Sequence, residues 1–235
     1  MDGETRLALR DVHTFIGGSH VLQGVSFVVA AGRTTVLLGR NGAGKSTTLR
    51  GIMGVLPAQS GSITLGHEEL RGQPAHRIAR RDIAFVPEDR EVFVSLTVEE
   101  NLKLAQRRGD PPGAIEGIFQ LFPDLQRARR RSAGAMSGGQ QQMLAIGRAL
   151  VRRNTLLLVD EPTKGLAPII VQELKATFSA LRERGETILL VEQNLEFARA
   201  VGDFFYILDE GRIVHGGAMS ELGARPEVLQ RYLGV

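Results

Sequence analysis

The chain has 235 residues, a formal net charge of +3, 43% hydrophobic and 23% charged residues, and no cysteine. That length can bury a sizeable core as one α/β domain or two small ones, and the composition is that of a soluble globular protein. Disulfides and thiolate metal sites are excluded, no apolar run approaches the ~18 residues of a spanning helix, and residues 1–10 lack an apolar signal-peptide core.

Taken in chain order, residues 7–12, 25–29 and 63–65 are short strand-like segments separated by glycine-rich breaks. Residues 36–38, 156–159 and 188–191 are continuous apolar runs of the kind found in parallel strands buried on both faces. Between them Leu49, Ile52, Met53 and Leu56 recur at helical spacing. Thr97 and Glu100 form a capping box, and Ile115, Ile118, Phe119 and Phe122 share one helical face, so residues 88–145 read as a helical insert. Met143, Ile146 and Leu150 mark another helix; Ile170, Leu174, Phe178 and Leu181 mark a third, with Pro168 in its first turn. Residues 205–208 and 212–214 return to short strands, expected to join the early ones in an antiparallel layer laid on the parallel core. No linker or repeat interrupts 1–235, which reads as a single domain. The cluster Arg127, Arg129, Arg130 and Arg131 lacks interleaved aromatics and does not read as a nucleic-acid platform.

Gly39-Arg40-Asn41-Gly42-Ala43-Gly44-Lys45-Ser46 fits G-x-x-x-x-G-K-[ST], with Thr47 following, and it lies after an apolar strand and before an amphipathic helix. Glycines let backbone N–H groups curve around phosphate oxygens, and the helix start adds its positive dipole. Lys45, the one cation expected in this cradle, would reach the β- and γ-phosphates of a nucleotide, and Ser46 would ligate Mg2+. A second constellation, Asp160-Glu161, ends the apolar run at 156–159. Adjacent strand residues point to opposite sides, so Asp160 could hold the metal shell while Glu161 turns toward an attacking water as general base.

Between these motifs stands Met136-Ser137-Gly138-Gly139-Gln140-Gln141, a helix start with Ser137 as N-cap and two glycines that bare backbone amides. The order cradle, Ser-Gly-Gly-Gln, carboxylate strand resembles the ABC ATPases over nearly the whole chain. The resemblance implies a P-loop NTPase fold: a parallel-sheet core with an antiparallel β layer and a helical subdomain. It also implies that ATP held by residues 39–47 of one protomer is capped by Ser137, Gly138, Gly139 and Gln140 of a second copy or a sister subunit. Four positions depart from the general family pattern. Glu88 stands where a glutamine contacts Mg2+, Gln193 where a histidine touches the γ-phosphate, and Ala167 where an aspartate is common. Ile16, beside Phe15, stands where a tyrosine stacks on adenine. Val86-Pro87-Glu88, Leu96-Thr97-Val98-Glu99-Glu100-Asn101-Leu102 and Val191-Glu192-Gln193 look like the smaller ATPase of branched-chain amino-acid importers, while residues 17–22 lean toward the urea and amide branch. Implied partners are membrane permeases and an extracytoplasmic binding protein, with the chain on the cytoplasmic face of the membrane. A soluble ABC ATPase serving as an assembly module is the reading from another class.

Overall fold

The computed structural model describes residues 4–224 and 226–234; residues 1–3, 225 and 235 of the expected 1–235 span lie outside the described residues. The strands are β1 Thr5–Ile16, β2 Ser19–Ala30, β3 Thr34–Leu38, β4 Ser60–Leu65, β5 Glu68–Glu69, β6 Ile83–Val86, β7 Leu156–Asp160, β8 Ile188–Glu192, β9 Phe204–Asp209 and β10 Arg212–Ala218. The helices are α1 Lys45–Ile52, α2 Ala75–Ile78, α3 Val98–Ala105, α4 Ala114–Leu121, α5 Pro123–Arg127, α6 Gly138–Leu150, α7 Pro168–Glu183, α8 Leu195–Val201 and α9 Pro226–Leu233. An antiparallel sheet runs β2-β1-β4-β5, and a six-stranded sheet runs β10-β9-β3-β8-β7-β6, parallel except for β10.

The continuous apolar strands are explained by a core on each side of the second sheet. Val36 and Leu38, Leu157 and Val159, and Ile188 and Leu190 share one core with Phe178 of α7, Phe197 of α8 and the apolar residues of the insert. Their neighbours Leu37, Leu156, Leu158, Leu189 and Val191 face the antiparallel sheet and α1 with Leu7, Phe27 and Leu49. Each buried aliphatic side chain contributes roughly 1.5–3 kcal/mol, so a strand apolar at every position is what a two-sided core selects.

One expectation is corrected. Residues 205–208 and 212–214 do not join the antiparallel layer: β9 pairs in parallel with β3, and β10 closes the edge beside it. Phe205 and Ile207 enter the helix-side core while Leu208 enters the opposite one. The segment is therefore two-faced like the other core strands, and its short length concealed this.

The insert is held by local chemistry legible in its residues. Thr97 caps α3 with the reciprocal Glu100 bond, and buried Asn101 binds both the N–H of Phe93 (2.9 Å) and its carbonyl (3.0 Å). Arg129 grips Glu99 with two bonds of 2.9 Å. That guanidinium, then the Lys103 ammonium, lowers the Glu99 carboxyl to about 2. A carboxyl depressed in the folded state stabilises above its ordinary value of 4.5 and loses the contribution as pH falls toward 2. Glu99→Gln should therefore melt earlier than wild type at pH 7, the gap narrowing as melts are repeated from pH 4.5 downward. An equal gap at all pH values would mean that the ion pair is not its source.

Candidate active site

The phosphate cradle is built where β3 stops and α1 begins. A Cβ on Gly39 would lie 2.4 Å from the Leu208 carbonyl oxygen, and Gly44 sits at φ +108 with a Cβ 2.8 Å from Leu22. Only glycine serves at either place. Gly44 opens α1 without a side-chain cap, which leaves the first-turn amides free for an anion. Asn41, Gly42, Gly44, Lys45, Ser46 and Thr47 line a cleft of about 380 Å³ with Val21, Glu88, Glu161 and Lys164. Ala43 is buried, its carbonyl accepting from the Gly211 N–H. Arg40 turns outward and donates to the Arg231 carbonyl of α9 at 3.3 Å.

Lys45 is buried, and its ammonium spends its three donors inside the site. They reach the Gly39 carbonyl (2.9 Å), the Arg40 carbonyl (3.1 Å) and the Glu161 carboxylate (2.9 Å). Ser46 donates to Asp160 at 3.1 Å. Burial, opposed by that bond, pushes the Asp160 carboxyl up to about 6. A hydroxyl and a buried carboxylate converging at one point are oxygen donors of the type a hard divalent cation takes, so these residues fit Mg2+.

The expectation that Asp160 and Glu161 point to opposite sides is corrected: both reach the cradle, Asp160 toward Ser46 and Glu161 toward Lys45. Alternation ends at Asp160 because Glu161 adopts φ +43 as its N–H bonds the Val191 carbonyl at 2.9 Å. Lys45 is likewise not the one cation in the cleft. Lys164 lies 3.6 Å from the second Glu161 oxygen and forms an ion pair with Glu88. The Glu88 carboxylate is thus engaged with Lys164 and does not touch Ser46 or Asp160.

The remaining expected residues stand apart from the cleft. Ser137, Gly138, Gly139 and Gln140 open α6, with the Ser137 hydroxyl accepting from the Gln140 N–H (3.3 Å) and Gln140 accepting from the Ser137 N–H (3.1 Å). None of the four lines the cleft formed by 41–47. Gln193 is exposed, its N–H held by Glu192 at 3.0 Å. Ile16 is exposed at the β1–β2 turn, while neighbouring Phe15 stacks on the His20 ring at 4.2 Å. A wider cleft, of about 560 Å³, lies between α5 and α7 around Phe122, Met143 and Arg184, away from every group of the cradle. Sequence reasoning missed Lys164 and Glu192. Lys164 was legible only as a charge three residues beyond Glu161, and Glu192 only as part of the Val-Glu-Gln run.

Residues 22–164 match the family described as ABC transporter. The chain belongs to that family. The chain is 45% identical to the Pseudomonas aeruginosa high-affinity branched-chain amino acid transport ATP-binding protein BraG, covering 97% of this chain and 99% of that one. It is 38% identical to a probable branched-chain amino acid transport ATP-binding protein, LivF, of Archaeoglobus fulgidus, covering 86% and 88%. The fold matches a solved ATP-binding subunit of an ABC transporter with a TM-score of 0.82 at 29% identity, covering 97% and 96% of the two chains. A nucleotide-free cassette from an ABC transporter gives 0.83 at 25% identity, covering 96% and 98%.

Proposed function

We propose that the chain, one domain over 1–235 with its helical insert at 88–145, is the ATP-hydrolysing subunit of an importer for branched-chain amino acids. The observation that carries the hydrolytic reading is the buried Glu161 carboxylate 2.9 Å from the cradle lysine. Lys45 and the amides of 39–47 hold the phosphates. Ser46 and Asp160 would hold Mg2+, which when bound would neutralise charge on the transferring phosphoryl group. Glu161, released from Lys45 when phosphate takes the lysine, accepts the proton of the attacking water. Glu88 and Lys164 pair beside Glu161, and exposed Gln193 can donate to the γ-phosphate from its own loop. Ile16 and Phe15 lie at the adenine end.

Ser137, Gly138, Gly139 and Gln140 do not line the cleft of their own chain, which supports a sandwich in which a second ATPase supplies them. Membrane permeases and an extracytoplasmic binding protein complete the complex, with this chain peripheral on the cytoplasmic face. Among the described residues no helix is long and apolar enough to cross a membrane. The solute reading rests on the names of BraG and LivF. Removing the chain from its source cell should abolish uptake of radiolabelled leucine, isoleucine and valine and spare urea. Loss of urea uptake with leucine uptake intact would overturn the solute.

A permease-docking surface is supported at the insert. Phe93 and Val94 are 47% and 58% exposed, whereas Val92 packs inward. The Arg148 guanidinium stacks 4.6 Å over the Phe93 ring. Phe93→Asp should leave the isolated chain folded and ATP-competent but unable to co-purify with membrane subunits. A lost thermal transition in the isolated variant would make Phe93 a packing residue instead.

A further inference from the structure

Behind the cradle, Glu192 ends β8 at 2% exposure, and no salt bridge involves it among the described residues. One of its oxygens accepts from the Thr163 N–H (3.2 Å) and the Thr163 hydroxyl (2.8 Å). The other accepts from the N–H groups of Gln193 and Asn194, both at 3.0 Å. A carboxylate withdrawn from water this far needs such donors, because nothing else compensates its lost hydration. Burial raises its pKa, against the opposing pull of those bonds.

The four donors come from two different loops. Thr163 lies two residues beyond Glu161, whose left-handed backbone is itself pinned to β8 through the Val191 carbonyl at 2.9 Å. Gln193 and Asn194 lead into α8, where Asn194 caps the helix by accepting from the Phe197 N–H at 3.0 Å. Glu192 is thus the common acceptor between the loop that carries the base and the loop that carries Gln193.

We propose that Glu192 is a positioning residue for ATP hydrolysis, its buried carboxylate tying the Glu161 loop to the Gln193 loop so that both take up their catalytic places together. This rests on the reading of Glu161 as base. Glu192 is too deep to touch nucleotide, so its effect should fall on turnover and leave nucleotide capture in place. Glutamine at 192 keeps the shape but turns one oxygen into a donor facing donors, which severs one side of the tie. Valine at 163 removes the hydroxyl from the other end, and serine keeps it.

The test is steady-state ATP hydrolysis and thermal melting of the full chain as Glu192→Gln, Thr163→Val, Thr163→Ser and the double variant E192Q/T163V, with Glu161→Gln alongside. Glu192→Gln should lower kcat by about tenfold with KM held within about threefold. Thr163→Val should lower kcat in the same way, Thr163→Ser should restore it, and the double variant should be no slower than Glu192→Gln because both cut one connection. Wild-type kcat in a Thr163→Val protein that melts normally would overturn the tie, as would multiplicative losses in the double variant. Should Glu192→Gln fail to fold, the contrast between valine and serine at 163 decides. A Glu161→Gln protein with wild-type turnover would instead sink the reading of the base, a result distinct from a silent Thr163→Val beside an inactive Glu161→Gln.

Discussion

Glu161→Gln is expected to cut ATP turnover by at least about 10²-fold, the usual loss when a general base is removed. Nucleotide affinity should hold or rise. Glu161 pairs with the Lys45 ammonium at 2.9 Å, the group for which a phosphate would compete. An incoming anion and this carboxylate compete for one cation, so the pair lowers the net gain on binding. Glutamine keeps the side-chain shape and removes the competing charge. The variant should therefore accumulate as an ATP-bound dimer, seen as a shift on size exclusion with ATP and absent with ADP. Hydrolysis near the wild-type rate, followed by phosphate release, would show that another group takes the proton.

Lys45→Ala should act on binding first. Charge-assisted hydrogen bonds contribute about 1.5–3 kcal/mol each, so losing the ammonium should raise the ATP Kd by about ten- to a hundredfold. Turnover should fall with it. The substitution also strands Glu161, 7% exposed, with Lys164 as its remaining cation at 3.6 Å. The variant should melt earlier than wild type for that reason, and Lys45→Ala/Glu161→Gln should recover part of the loss because the stranded charge is gone. Calorimetry with the ATP analogue AMP-PNP gives the Kd free of hydrolysis. An unchanged Kd in a folded Lys45→Ala protein would count against residues 39–47 as the phosphate site.

These two residues also separate what was readable early from what was not. The cradle, the capping box at Thr97, Ser137 as an N-cap, Pro168 opening α7 and the three apolar core strands follow from spacing alone, because each depends on neighbours within a few residues. Local interactions of that kind, with backbone propensities and side-chain periodicity, specify elements before any long-range contact forms. Gly44 shares that locality, since its φ of +108 is a backbone conformation that favours glycine, whereas the need for glycine at 39 comes from the Leu208 carbonyl, a contact made only in the folded chain.

The tertiary structure alone decided how the charged groups pair. Lys164 finds Glu88 across 76 positions of chain, and Thr163 finds Glu192 across 29. Each pairing exists because parallel strands bring their carboxyl ends, and the loops beyond them, to one edge of the sheet. The turn of Glu161 toward Lys45 was hidden for a related reason. A strand pattern predicts alternation only while the strand lasts, and the left-handed backbone at Glu161 is imposed by its bond to β8. The partner of β9 was equally hidden, since a short apolar segment suits an antiparallel edge and a parallel core strand alike until the two buried faces are seen. The sequence by itself thus determined the apolar core strands, the helices that carry periodic apolar faces and the candidate phosphate cradle at 39–47. The packing of six strands determined which charge faces which, because a side chain's partner depends on distances through space that residue spacing does not encode.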